Sequence, residues 1–279
     1  PNMSPAYIFL IVIAGVAMLL MMVLKFRLNA FISLLITSIF VGILAGMPLT
    51  KISESIQEGM GGTLGFIATV VGLGAIFGQM LESSGGAKAL SRFLLKKFGK
   101  ERAPWALMLS GFMIGIPIFL DVGFIILIPV VYSLTREAKR SVLAYAIPLL
   151  AGLAVGHAMI PPTPGPVAVA NILEVELGWV ILFGVIIGLP AAIIAGPVFG
   201  RFISGKINIP APDDIIKPEG EQEVAGHITP SYRVIALLIF IPLLLILMGT
   251  FIKVGADKGI VTKSFLTDIL IFIGHPFTA

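Results

Sequence analysis

An all-α, polytopic membrane protein is the fold class this sequence predicts. Three observations predict it: 57% of the 279 residues are apolar, only 12% are charged, and the mean hydropathy is +1.05. A soluble globule carries about 25% charged residues. The basic residues fall in short clusters between apolar runs, as topology determinants do. The net charge of +4 therefore points to no nucleic acid. Zero cysteines exclude disulfides, thiol nucleophiles and thiolate metal sites.

A spanning helix needs about twenty apolar residues. Ala6–Leu24 and Leu28–Met47 qualify, joined by a tight turn at Lys25–Arg27. No basic region precedes the first run and no small-residue cleavage site follows it, so it reads as a retained span. Lys51–Met60 (KISESIQEGM) is polar and amphipathic, and is expected at an interface. Thr63–Leu81 is the third span, rich in glycines that let helices approach closely in lipid. Residues 1–81 thus hold three transmembrane helices. Residues 82–103 carry Lys88, Arg92, Lys96, Lys97, Lys100 and Arg102. Leu90, Phe93, Leu94 and Phe98 recur there at roughly helical spacing, so the segment is a cytoplasmic loop or a surface helix.

Residues 104–134 are apolar but interrupted by GIPIFLDVG at 115–123. As one helix they would run about 46 Å, against a bilayer core of about 30 Å. Split near Asp121, each arm is about 20–24 Å, too short to cross. Arg136, Lys139 and Arg140 follow at once. With basic clusters on both flanks cytoplasmic, the segment enters and leaves on one side, as a re-entrant hairpin; one tilted, kinked helix is the alternative. Residues 141–200 read as a broken helix and its return: Ser141–Ile160, a break at PPTPGP (161–166), Val167–Leu173, then Trp179–Phe199. Residues 201–233, with PAPDDIIKPEGEQE, read as a polar cytoplasmic linker. Residues 234–279 open with the span Val234–Ile252 and begin a second half. Both chain ends read as cuts in a longer protein.

Non-helical backbone at membrane depth is tolerated only inside protein or against a water-filled cavity. Two broken segments at the midplane point to a transporter binding site, where half-helix N-termini offer free N–H groups to an anion. The candidate substrate or coupling residues are Asp121, Gly123, His157, Pro162, Thr163 and Gly165. Asp121 is the one acid deep in an apolar run, and an acid there is a functional hypothesis. A carboxyl in apolar surroundings favours its neutral form, which makes Asp121 a candidate proton carrier; the bland alternative is an N-cap for the second arm. His157 changes charge near neutrality when unperturbed, or else bonds a carbonyl freed by the break. Thr163 offers a hydroxyl to a polyol or carboxylate, or satisfies its own backbone. Gly165 allows close approach at the break; Gly123 and Gly165 otherwise serve turns. No cofactor and no metal is expected. An intramembrane aspartyl protease needs a second acid, a zinc protease needs HExxH, and a channel needs a filter or a charged ring; none of these is visible.

GGTLGFIATVVGLGAIFGQMLESSGGA (61–87), GIPIFLDVGFIILIPV (115–130) and GHAMIPPTPGPVAVAN (156–171) resemble, in order and spacing, blocks of the gluconate permease family of bacterial proton symporters, within the ion-transporter superfamily. The likeness runs over essentially the whole chain and corresponds to the family's N-terminal part. It implies a first inverted repeat with one re-entrant hairpin and one broken helix, moving as an elevator within a homodimer. It implies a multi-pass protein of the bacterial inner membrane that takes up gluconate or a similar hydroxylated carboxylate with a proton. D-serine or another small organic acid is the alternative substrate within the family.

Overall fold

The computed structural model describes residues 4–212 and 230–279. Most of the expected linker, residues 213–229, lies outside the described residues. All regular structure among the described residues is helical. Five helices are long and apolar enough to cross a membrane: Pro5–Lys25, Leu49–Ser83, Leu143–Ile172, Leu177–Ser204 and Tyr232–Asp257. The protein is a multi-pass membrane protein. Its chain forms two compact units, residues 1–66 and 67–279.

The first unit opens with α1 (Pro5–Leu20). Ser4 caps it, accepting from the Tyr7 N–H, and Pro5 takes the first helical position, where a missing N–H costs nothing. A π-helical turn carries the chain to Lys25. Asn29 then caps α2 (Ala30–Leu44) by accepting from the Phe31 N–H. The Tyr7 hydroxyl donates to the Leu44 carbonyl, tying the start of α1 to the end of α2. Helix α3 (Leu49–Ser83) is continuous through KISESIQEGM, which the sequence reading set apart as an interfacial segment. The reason is local: the stretch has no proline, and a glycine within a helix costs only about 1 kcal/mol.

The second unit takes α3 from Ile67 onward. Helix α4 (Gly86–Phe98) lies between Gly85 and Gly99, whose φ values of +73° and +75° favour glycine. Its buried stripe of Ala87, Leu90, Ser91 and Leu94 faces the core. Then come α5 (Ala103–Ile114), a break at 115–119, α6 (Leu120–Ala138), α7 (Leu143–Met159), a break at 160–163, and α8 (Pro164–Ile172). Helix α9 (Leu177–Ile193) continues through a π-helical turn into α10 (Phe199–Ser204). Helices α11 (Tyr232–Asp257) and α12 (Phe265–Ile273) complete the unit.

Helix α7 is the axis of this unit. A Cβ on Gly152 would stand 2.1 Å from the Met108 carbonyl oxygen, and one on Gly156 would stand 2.4 Å from that of Phe112. Facing them, Gly111 and Gly115 would each put a Cβ 2.5 Å from an α7 carbonyl oxygen, that of Leu149 or Leu153. Two small-xxx-small seams thus let backbone touch backbone, the packing that replaces hydrophobic drive in lipid. The contacts advance in step along both chains, so α5 and α7 run parallel. Helix α6 reaches α7 through a short connection and seats Gly123 against the Leu153 side chain, so it runs antiparallel to α7. An ion pair between Lys100 and Glu137 joins the outer ends of α5 and α6.

Candidate functional site

Each break has a cause in the sequence. At the first, Gly115 still bonds back to the Gly111 carbonyl, and the Ile118 N–H to that of Ile114. Pro117 has no N–H to offer, and the ladder ends one residue later, at Ile118. At the second, Ile160 is extended, and Pro161 and Pro162 follow in turn conformation, joined by a cis peptide bond. The break is shorter than the expected 161–166. Pro164 and Pro166 lie inside the first turn of α8, where intrahelical acceptors are lacking anyway, so proline is tolerated.

The two breaks meet. Ile116–Phe119 of the first and His157, Pro162, Thr163 and Pro164 of the second line one narrow cleft. Its third wall is α3, through Val71, Gly74 and Ala75. The interior holds about 10 Å³, room for roughly a single water. A Cβ on Gly74 would stand 2.6 Å from Pro162 Cγ, and one on Gly78 would stand 2.0 Å from the Pro117 carbonyl oxygen. One helix face therefore braces both breaks. Gly74 and Gly78 were missed as site residues. They form a G-x-x-x-G pair, which signals close approach but not what approaches.

His157 is half-buried on the last turn of α7, its ring 5.4 Å from that of Phe119. Its Nδ1 is buried without a hydrogen-bond partner among the described residues, and the Gly115 backbone lies beside the ring. The expected bond to a carbonyl is not made by Nδ1. Asp121 is near enough for its charge to act on the His157 ring. It lies in the first turn of α6 and does not line the cleft. The cap reading of Asp121 is overturned: Phe119 is the N-cap residue and no side chain caps the helix. The Asp121 side chain is exposed among the described residues. The buried face of α6 is Gly123, Leu127, Val131 and Thr135, a four-residue spacing, and Asp121 falls on the opposite side.

Thr163 is buried, and its hydroxyl donates to the Ile160 carbonyl at 2.9 Å. It satisfies backbone freed by the break, yet its oxygen can still accept. Pro162 is half-buried against α3. Gly123 serves no turn: it is helical, and a Cβ there would meet Leu153 Cδ2 at 2.7 Å. Gly165 is exposed, and a Cβ there would meet nothing within 4 Å, so nothing approaches it closely. The donors differ between the breaks. Helix α6 opens with the amides of Leu120, Asp121 and Val122, whereas α8 opens Pro-Gly-Pro and keeps only that of Gly165.

The family described as GntP family permease matches residues 7–279. A gluconate permease of Pseudomonas aeruginosa is 37% identical over 275 residues, covering 98% of this chain and 60% of that protein. A low-affinity gluconate transporter of Escherichia coli is 37% identical over 278 residues, with 99% and 60% covered. The Gnt-II system L-idonate transporter of Escherichia coli is 34% identical over 272 residues, with 97% and 60% covered. No solved structure matches the chain. The chain thus spans about 60% of the length of these relatives. With both breaks and the bracing helix inside the matched region, the chain belongs to the GntP permease family.

Proposed function

We propose that the whole protein is a secondary active transporter that takes up gluconate, or a closely similar sugar acid, together with a proton. The observation that carries this reading is the meeting of two helix breaks in one cleft, in a chain whose relatives are named for gluconate and L-idonate. Both named substrates are polyhydroxy monocarboxylates, so the site needs one anion seat and several hydroxyl partners. The free amides at the start of α6 suit the carboxylate. Thr163 and His157, both lining the cleft, suit hydroxyls.

Asp121 couples the proton in this reading. An ionised Asp121 occupies the positive end of α6 and repels a second carboxylate; a protonated one does not. Substrate and proton then favour each other's binding by the same factor. An anion entering alone against an inside-negative potential loses about 2.3 kcal/mol per 100 mV, and one accompanying proton cancels that term.

Residues 104–134 act as a re-entrant hairpin in this proposal. Opposite running directions of α5 and α6 relative to α7, and the Lys100–Glu137 pair at their outer ends, support it. The remaining parts of the proposal are a matching inverted repeat in the rest of the protein, a homodimer, and a place in the bacterial inner membrane. The test uses the full-length protein in proteoliposomes. An inward-directed proton gradient should concentrate labelled gluconate, and unlabelled L-idonate should compete. Uptake indifferent to the gradient would overturn the symport; no uptake of any sugar acid would overturn the substrate class.

A further inference from the structure

A second, larger cleft lies away from the breaks, where the outer ends of α5, α6, α7 and α10 meet. Its volume is about 620 Å³, within the roughly 300–1,000 Å³ of small-molecule sites. Three cations line it: Lys100, Arg140 and Arg201. Lys100 is engaged by Glu137. The guanidinium groups of Arg140 and Arg201 have no ion pair and no hydrogen bond among the described residues, and both residues are exposed. Glu101 also lines the cleft and has no ion pair among the described residues. One further polar group is left over. Tyr145 is 1% exposed and lines the cleft, yet its hydroxyl has no hydrogen-bond partner among the described residues. The hydroxyl is therefore open to a partner in the cleft, as donor or acceptor. Trp105, 41% exposed, forms an apolar wall beside these groups.

We propose that this cleft binds a phosphate ester, held by the guanidinium groups of Arg140 and Arg201 and by the Tyr145 hydroxyl. Guanidinium forks match phosphate oxygens bidentately, and two of them outweigh the single unpaired carboxylate of Glu101. The Trp105 wall suits the glycerol or acyl part next to the phosphate. That chemistry occurs in a phospholipid headgroup seated between helices at a basic membrane face, and equally in a free phosphate ester from the aqueous side. The cleft does not include Asp121, His157 or Thr163, so the proposal is independent of the transport reading.

The full-length protein is purified and examined by native mass spectrometry from micelles holding equal phosphatidylglycerol and phosphatidylcholine. In parallel, glycerol 3-phosphate is titrated in phosphatidylcholine alone, with the melting temperature as readout. Retention of phosphatidylglycerol without a response to glycerol 3-phosphate identifies the lipid headgroup; the converse identifies the free ester; either sustains the site. The double variant Arg140→Gln/Arg201→Gln should lose binding at least tenfold, and Tyr145→Phe about two- to threefold. Binding of neither probe overturns the proposal. So does unchanged binding in a double variant that melts like the parent. If the double variant does not fold, unchanged binding by Tyr145→Phe overturns it.

Discussion

The two helix breaks face the same cleft but are built differently. The first, at 115–119, is opened by one proline and is followed by ordinary residues, so α6 starts with unspent amides and an acid, Asp121. The second, at 160–163, is opened by a proline pair and is followed by two more prolines. Proline opens a helix by deleting an N–H, and an N–H is also what an anion would bind. The segment with more prolines is therefore the poorer anion seat. On the proposed function, this difference divides the labour: charge at the first break, shape and hydroxyl partners at the second.

The largest expected effect tests the charge side of that division. Asp121→Asn keeps the size of the side chain and removes its titration. Gradient-driven uptake by the full-length protein should fall at least tenfold, while exchange of internal for external substrate persists in part. Full concentrative uptake in this variant would move proton coupling away from the first break.

The next effect concerns what holds the breaks together. Gly78→Ala places a methyl 2.0 Å from a backbone carbonyl that has no rotamer to escape into. Overpacking of this kind costs about 1–3 kcal/mol, so the melting temperature should fall and uptake with it. Gly165→Ala, at the other break, meets open space and should change stability by less than about 0.5 kcal/mol. Equal losses from the two substitutions would mean that α3 does not brace the first break. At Thr163 the expected loss is smaller than at Gly78. Thr163→Val deletes the hydroxyl that satisfies the Ile160 carbonyl and should cost about 1 kcal/mol. Thr163→Ser should restore it. If both variants transport equally well, the hydroxyl is structural only.

Much of this was legible in the sequence, because long apolar runs and basic clusters report directly on what lipid tolerates. Both breaks were visible for the same reason: proline and glycine at membrane depth contradict a spanning helix. What stayed hidden was three-dimensional. A run of four prolines looks like four helix breakers, yet Pro164 and Pro166 begin a helix rather than end one, because position within the first turn decides the cost. Asp121 in an apolar run reads as buried, but helical periodicity turns it away from the α7 face that Gly123 packs. The small residues Gly74 and Gly78 announced a close partner without naming it; only the fold shows that the partner is the breaks themselves.

The smallest effect bears most directly on the difference between the breaks. Pro164 occupies the first helical position of α8, and replacing it restores a backbone N–H beside that of Gly165. Pro164→Ala has two consequences of opposite kind. The unfolded chain gains freedom, which should lower stability by about 0.4–1 kcal/mol. The folded site gains a donor at the positive end of a helix, and such a contact with an anion is worth about 0.3–1 kcal/mol, or roughly two- to fivefold in affinity. A less stable protein that binds gluconate more tightly is therefore the expected result, with melting and equilibrium binding measured on the same preparation. Tighter binding would show that the carboxylate reaches α8 and that prolines hold that seat weak. Unchanged binding with the stability loss present would place the carboxylate at α6 alone. Weaker binding would mean that Pro164 shapes the cleft it lines, and the division of labour between the breaks would have to be drawn on geometry rather than on donors.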